Sequence, residues 1–294
     1  MHRFLVGFFV ALVACQNSEK TVALVLPVDV PAILDIQDGF VTALKKSHPD
    51  YRVIIKKGLG DPNVMQSILK SLHTQKVPYV ATIGVTLTKA AQNLCKGQTI
   101  IGLAAYKEFA NDTTYIVEDE IGPETLYRSF VTIFSDVQTV TLIHAQDDKI
   151  MKEVRVLKAL MKQGNKKLQL LPVISTNDLQ MVCTHIKGQV VLVLKDLLVV
   201  SGMDVILKAA KQLDIPVVVS DEGSVKAGAT YAFGVSELDI GAEGARLLAG
   251  EIDGKKGPHV TTLVPMYLVS KNTPVTFMKI IREKADGYIV KMVA

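Results

Sequence analysis

Val22-Ala23-Leu24-Val25-Leu26-Pro27 is an unbroken apolar run of strand length that stops at a proline. A strand that is apolar at every position has to be buried on both faces, as in a parallel sheet sandwiched between helices. The residues downstream agree. Ile36, Phe40, Val41 and Leu44 recur at helical spacing over 35–47, and β-branched Arg52 to Ile55 reads as the next strand. Asp61-Pro62 opens a helix, with aspartate at the cap and proline at the first helical position, and Ile68, Leu69 and Leu72 mark its buried side. Tyr79 to Ile83 and Thr99 to Leu103 are two further strands, separated by a helix through Lys89 to Leu94. Parallel strands need helical crossovers between them, so this alternation predicts a parallel sheet covered on both faces.

The pattern then starts again. Gln138 to Ile143 reads as a strand, and Met151, Val154, Leu157 and Leu160 make a helical stripe. Leu168 to Ile174 is a strand, a short helix follows Asn177, and Val190 to Leu194 is a strand. Ser201 to Leu213 is a helix, and Ile215 to Ser220 is a strand that runs into Asp221-Glu222-Gly223. The fold class read from this is α/β: two doubly wound parallel-sheet lobes with a cleft between them. Acidic Val117 to Thr125, the stretch around Gly234 to Glu237, and one near His259 to Leu263 are the expected linkers. Three crossings restrict relative motion to hinge bending. The expected lobes are 21–118 with 236–260, and 119–235 with 261–294.

Working back from Val22, Arg3 precedes an apolar run from Phe4 to Val13, interrupted by Gly7. The run is of signal-peptide length and short for a membrane span. It ends in Leu12-Val13-Ala14-Cys15, which resembles the lipobox of bacterial lipoproteins. Residues 1–14 are read as a signal peptide. Cys15 is read as the lipidated first residue of the mature chain, and polar 15–20 as a tether. The expected location is the cell envelope, anchored to a membrane and facing the periplasm or the exterior.

The 294 residues are 49% hydrophobic, enough for two sizeable cores. Without residues 1–14 the 33 basic residues become 32 against 29 acidic, formally +3, which is too mild for a nucleic-acid binder. Lys45-Lys46 and Lys166-Lys167 read as solvated ends of elements. Cys95 and Cys183 have no CxxC or zinc spacing, and Cys183-Thr184-His185 alone is a weak metal pattern, so no metal or cofactor is expected. A bridge between the two cysteines would tie the expected lobes together and hinder opening, so none is expected.

Beyond this the residues carry a family likeness. Ser220-Asp221-Glu222-Gly223-Ser224-Val225-Lys226-Ala227-Gly228-Ala229 follows Ile215-Pro216 and precedes Gly234-Val235, Ile240-Gly241 and Leu248-Ala249-Gly250-Glu251. Upstream lie Pro31-Ala32 with Gly39-Phe40, then Gly60-Asp61-Pro62, then Ala81-Thr82 with Thr86 and Ala90-Ala91-Gln92. In this order they resemble the tryptophan- and tyrosine-type ABC transporter substrate-binding proteins, on the type 1 periplasmic-binding-protein fold. The resemblance implies capture of an amino acid or similarly small solute, and hand-over to an ABC permease driven by its ATPase, without chemistry on the solute. Three positions depart from the family pattern: Val30 stands for its histidine before Pro-Ala, Leu87 for the proline of its TP pair, and Leu197 for the asparagine after the lobe-two aspartate. Losing polar groups at two of these, Val30 and Leu197, points toward a more apolar ligand or a pocket rebuilt elsewhere.

In open α/β sheets, ligands sit at the carboxyl ends of the strands. The candidate ligand contacts are therefore strand exits. Asp221 would pair with a ligand ammonium or else cap the next helix. Thr86 and Thr88 begin a helix whose free N–H groups would hold a carboxylate, or they simply cap it. Tyr106 would cover an apolar stem, while Asp196 and Gln146 stand at lobe-two exits. No catalytic set competes with this: there is no GxSxG, HExxH, P-loop or GxGxxG at a strand–helix turn, and His144 stands alone. The rival reading is a ligand-sensing lipoprotein of the same fold that signals to a membrane partner. A DNA-binding repressor is disfavoured, because an export signal occupies the place of its reading head.

Overall fold

Strand β1 (Thr21–Leu26) alternates as its burial demands: Val22, Leu24 and Leu26 join one core cluster, and Ala23 and Val25 join the cluster on the other side of the sheet. The computed structural model in which this is seen describes residues 20–271, 273–285 and 287–293. The signal segment 1–14, Cys15 and the tether up to residue 19 lie outside the described residues. After β1 come α1 (Pro31–Ser47), β2 (Arg52–Lys57), α2 (Pro62–Thr74), β3 (Tyr79–Ile83), α3 (Val85–Leu94), β4 (Thr99–Leu103) and β5 (Thr114–Glu118). The second region holds α4 (Pro123–Ile133), β6 (Thr139–Ala145), α5 (Asp148–Gln163), β7 (Lys167–Val173), α6 (Leu179–Cys183), β8 (Val190–Val193) and α7 (Leu197–Val200). It continues through α8 (Met203–Gln212), β9 (Val217–Val219), α9 (Glu222–Lys226) and β10 (Tyr231–Gly234). The chain then runs through α10 (Glu237–Ile252), β11 (Val260–Thr262), β12 (Met266–Ser270), α11 (Val275–Lys284) and β13 (Val290–Val293).

The strands form two sheets, β11-β5-β4-β3-β1-β2 and β13-β12-β10-β9-β8-β6-β7. The first is parallel throughout, with α1 and α10 on one face and α2 and α3 on the other. The second carries α4, α5 and α11 on one face and α6, α8 and α9 on the other. This is the doubly wound α/β class read from the sequence, twice over, with one difference: β12 runs antiparallel to β10. The reason is the route of the chain. β10 leaves its sheet at Gly234, β12 enters from the first sheet across 263–265, and Gly234 is paired with Met266. A strand that enters where its neighbour leaves must run the other way.

The crossings therefore share one end of the molecule. Residues 119–122 leave the carboxyl end of β5, 235–236 leave that of β10, and 263–265 leave that of β11, which is in register with β5 through Thr262 and Glu118. Thr262 Oγ1 donates to Glu118 Oε2 at 3.1 Å, tying the first and third crossings together. Helix α10 docks on α1, and two glycines allow the close approach. A Cβ at Gly39 would strike the carbonyl of Leu238, and one at Gly241 would strike that of Ile36. Asp61 caps α2 as its spacing implies, accepting from Asn63 N at 2.7 Å. Helix α5 buries Ile150, Val154, Leu157 and Met161, so the stripe is centred one residue from the Met151 and Leu160 flanks read in the sequence. Cys95 and Cys183 are buried free thiols in different lobes.

Candidate ligand site between the lobes

The carboxyl ends of both sheets point toward the crossings, so the loops that follow the strands face a shared cleft. In the second lobe these loops hold a depression of about 900 Å³, lined by Gln146, Asp147, Ile174, Ser175, Asp196 and Leu197 among others. Its apolar side chains stand out into solvent: Ile174 is 78% exposed and Leu197 is 86% exposed. In the first lobe Val30, at the exit of β1, and Leu59, after β2, are exposed in the same way.

Three aspartates at the strand exits of the second lobe are committed to the helix starts that follow them. Asp147 Oδ1 accepts from Lys149 N and Ile150 N at 3.0 Å, capping α5. Asp196 is 3% exposed. Its Oδ1 accepts from Leu198 N at 3.1 Å and Val199 N at 3.3 Å, capping α7, and its Oδ2 accepts from Ala145 N at 2.5 Å, joining the ends of β6 and β8. Asp221 Oδ1 accepts from Ser224 N and its Oδ2 from Ser224 Oγ, both at 2.7 Å, capping α9. Of the two roles the sequence allows Asp221, the structure displays the cap.

The first lobe is different. Helix α1 starts at Val30 and α3 at Gly84, and neither has a side-chain cap. Gly84 has φ +92° and ψ 158°, an extended conformation at positive φ that glycine adopts at little cost. The first-turn N–H groups of α3 are therefore left to whatever enters the cleft, which suits an anionic group. Thr86 is exposed in that first turn. Thr88 is fully buried, its Oγ1 donating to Gly84 O and meeting Thr82 Oγ1, both at 2.9 Å, so its hydroxyl is occupied inside the lobe. Leu87, in place of the family's proline, is also buried, whereas Val30 and Leu197, the other two departures, are exposed at strand exits.

Between the lobes runs a set of charges with no local signature in the sequence. Lys195, at the exit of β8, pairs with Asp119 of the first crossing. Burial opposes the Lys195 ammonium, but Asp119 outweighs it and raises the pKa. Lys149 of α5 pairs with Glu120 at 2.5 Å, and its Nζ lies 5.2 Å from the Tyr106 ring centroid, which links the second lobe to a loop of the first. Tyr106 also packs on Phe109. Burial pushes the nearby Glu153 carboxyl up, with Lys149 opposing. Asp119, Glu120, Lys149, Glu153, Lys195 and Ser220 line a small pocket of about 30 Å³, the room of a single water. Farther along, Lys226 of α9 pairs with Asp35 of α1, and Lys291 of β13 donates to Ser236 Oγ at 2.6 Å. Of the six candidate residues, Gln146, Thr86 and Tyr106 thus offer exposed or half-buried groups at the cleft, while Asp196, Asp221 and Thr88 are hydrogen-bonded to the chain around them.

Against this geometry, the model of a family described as ABC transporter substrate binding protein matches residues 21–271, which takes in both sheets as far as β12. The chain belongs to that family. An uncharacterized protein of Rickettsia prowazekii (strain Madrid E) is 28% identical over 251 residues, covering 85% of this chain and 80% of that one. The tyrosine-binding protein of Clostridioides difficile (strain R20291) is 22% identical over 257 residues, covering 82% and 74%. Among solved structures, a substrate binding protein with adhesive properties from Clostridium difficile, in a ligand-free, open form, superposes with a TM-score of 0.74. It is 20% identical, with 93% of this chain and 99% of that chain covered. An ABC domain from Streptococcus pneumonia in complex with L-Trp gives 0.70 at 16% identity, covering 90% and 94%. At such identities the structures speak for the fold, which is the type 1 periplasmic-binding fold of two lobes. This member of the substrate-binding family has, among its described residues, no helix long and apolar enough to cross a membrane and no His/Cys/Asp/Glu cluster suited to a metal.

Proposed function

We propose that this substrate-binding protein captures an amino acid or a close relative with an apolar body in the interlobe cleft and delivers it unaltered to an ABC importer. The observation that carries this is the pairing of an uncapped helix start in one lobe with exposed apolar side chains in the other. The N–H groups of Val85, Thr86 and Leu87 would receive the solute's carboxylate. Leu197 and Ile174, with Tyr106 as a cover, would receive its apolar body. Gln146 at the cleft edge would orient the polar end. Asp196 and Asp221 would shape the site through the loops they cap. A relative described as tyrosine-binding and a fold neighbour holding L-Trp are in keeping with such a solute.

In this reading the chain is exported, cleaved before Cys15 and held on the membrane by lipid, with the two lobes, divided near 118, 235 and 260, closing about the crossings. The partners are the solute, an ABC permease with its ATPase, and the membrane.

A thermal-shift series with L-tyrosine, L-tryptophan, L-phenylalanine and L-leucine tests the solute class. A solute that binds only the folded form at a hundred times its Kd adds about 2.7 kcal/mol. A clear rise in Tm with one of the four, and none with glycine or a sugar, is the expected outcome. No rise with any of the four would remove the apolar amino-acid assignment. Metabolic labelling with palmitate tests the anchor: Cys15→Ser abolishes labelling, and label retained in that variant would contradict it.

A further inference from the structure

The seam between α9 of the second lobe and α10 and α1 of the first holds two buried carboxyl groups on opposite sides. Glu222 and Glu237 are each 4% exposed, and the N–H of Glu222 donates to Glu237 Oε1 at 3.3 Å. The other oxygen of each, Glu222 Oε2 and Glu237 Oε2, is buried with no hydrogen-bond partner. Two adjacent carboxylates in such a place cannot both be charged at modest cost, because burial and mutual repulsion add. One retained proton answers both problems: it removes a charge and supplies a donor to an oxygen that lacks one.

We propose that Glu222 and Glu237 share a single proton across the seam between the lobes, and that losing it loosens the seam and opens the cleft.

The charges around the pair decide which carboxyl keeps the proton. From α9, Lys226 Nζ lies 3.4 Å from Glu222 Oε1 and also pairs with Asp35 of α1. From β13, Lys291 faces Glu222 and donates to Ser236, the residue just before α10. From the loop after β8, Lys195 faces Glu237, but its closest partner is Asp119; Asp221, at the cap of α9, faces Lys195 as well. Glu222 thus has two ammonium groups turned toward it. Burial pushes its carboxyl up, yet Glu237, Lys291 and Lys226 together bring it below the usual glutamate value. Glu237 keeps the proton: burial, then Glu222 beside it, push it up to about 8, against its own backbone N–H and Lys195.

The sign of the pH effect follows. A group that binds its proton more tightly in the seam than in water favours the seam fully below its ordinary value of 4.5, and that advantage is lost as pH rises through about 8. Glu222 acts oppositely, since its ion pairs are lost only as pH falls through its lowered value. The seam is tightest in mildly acidic solution and loosest above about pH 8. If the cleft is the capture site proposed above, which is the one point where this inference leans on that reading, solute is held tightly at neutral and acidic pH and released more readily in alkali.

The test uses ligand-free protein, so that it does not depend on which solute binds. Spin labels at Lys70→Cys on α2 and Lys211→Cys on α8 report the distance between the lobes. Between about pH 6.5 and about pH 9.5 the mean distance should lengthen, with its midpoint near 8. Glu237→Gln, which mimics the protonated acid, should hold the short distance across the range. Glu222→Gln, which removes the carboxyl beside Glu237 but not its burial, should move the midpoint to lower pH, and so covers the case in which the first variant does not fold. In the unlabelled protein, the infrared carbonyl band of a protonated carboxyl should disappear with the same midpoint. A constant distance in the unsubstituted pair, or lengthening with an unchanged midpoint in a folded Gln variant, would overturn the proposal. A pH response with no binding in the thermal-shift series would strike only the solute assignment.

Discussion

The two lobes answer the same question, how to start a helix at the end of a strand, in opposite ways. In the second lobe α5, α7 and α9 each begin on an aspartate, Asp147, Asp196 and Asp221, whose oxygens take up the free N–H groups. In the first lobe α1 begins on Val30 and α3 on Gly84, with no side chain on those N–H groups, and only α2 has its Asp61. A face whose polar groups are already satisfied can offer a ligand only shape and apolar surface. A face with free donors can offer a hydrogen-bonding socket. Aspartates at strand exits need not be ligand partners, however well they are placed, and the informative positions are those where the expected cap is absent.

Substitutions at these helix starts separate the two lobes. The largest effect should come from Asp196→Ala, which strands three N–H groups, two of them buried, and unties β6 from β8. Urea unfolding should show a loss of about 3 kcal/mol, and a loss under 1 would mean those bonds matter little. Asp221→Ala should cost about 1–2 kcal/mol through the α9 cap while solute affinity changes less than tenfold. Abolished binding in a folded variant would make Asp221 a direct partner instead. Gly84→Ala forces a non-glycine residue to φ +92°, where no neighbour obstructs a Cβ, so about 1 kcal/mol of backbone strain is expected, read as a lowered Tm. Val30→Asp is the smallest and works in the other direction. It supplies the cap α1 lacks, raising stability by about 0.5 kcal/mol, and places a negative charge beside the socket, weakening binding of a carboxylate-bearing solute. Stronger binding in that variant would reverse the assignment of polarity to the lobes.

Much of this architecture was legible in the chain, because fully buried parallel strands need apolar runs and helices between them must be amphipathic. β1, β3 and β4 stand out for that reason, and the Asp61-Pro62 start of α2 is a local signal with a local cause. The last part of the second lobe is less readable. β10 and β9 are only four and three residues long, and the antiparallel β12 follows from the path of the chain between lobes rather than from any pattern in Met266 to Ser270. The α5 stripe is displaced toward Ile150 and Met161 because a broad apolar face has several nearly equivalent centres. The cleft residues were visible as strand exits, but whether a polar group at an exit is free or committed depends on backbone donors a few ångströms away. The charges between lobes were hidden altogether: Lys195 meets Asp119 across 76 positions, and Glu222 meets Glu237 across a crossing.

The most direct test of capture without chemistry is native mass spectrometry of the protein isolated from its own cells without denaturation. A single small solute per chain, with an apolar body and released with its mass unchanged, is the expected result. Bare protein from solute-rich cells, or a mixture of a solute and its chemically altered product, would contradict the account.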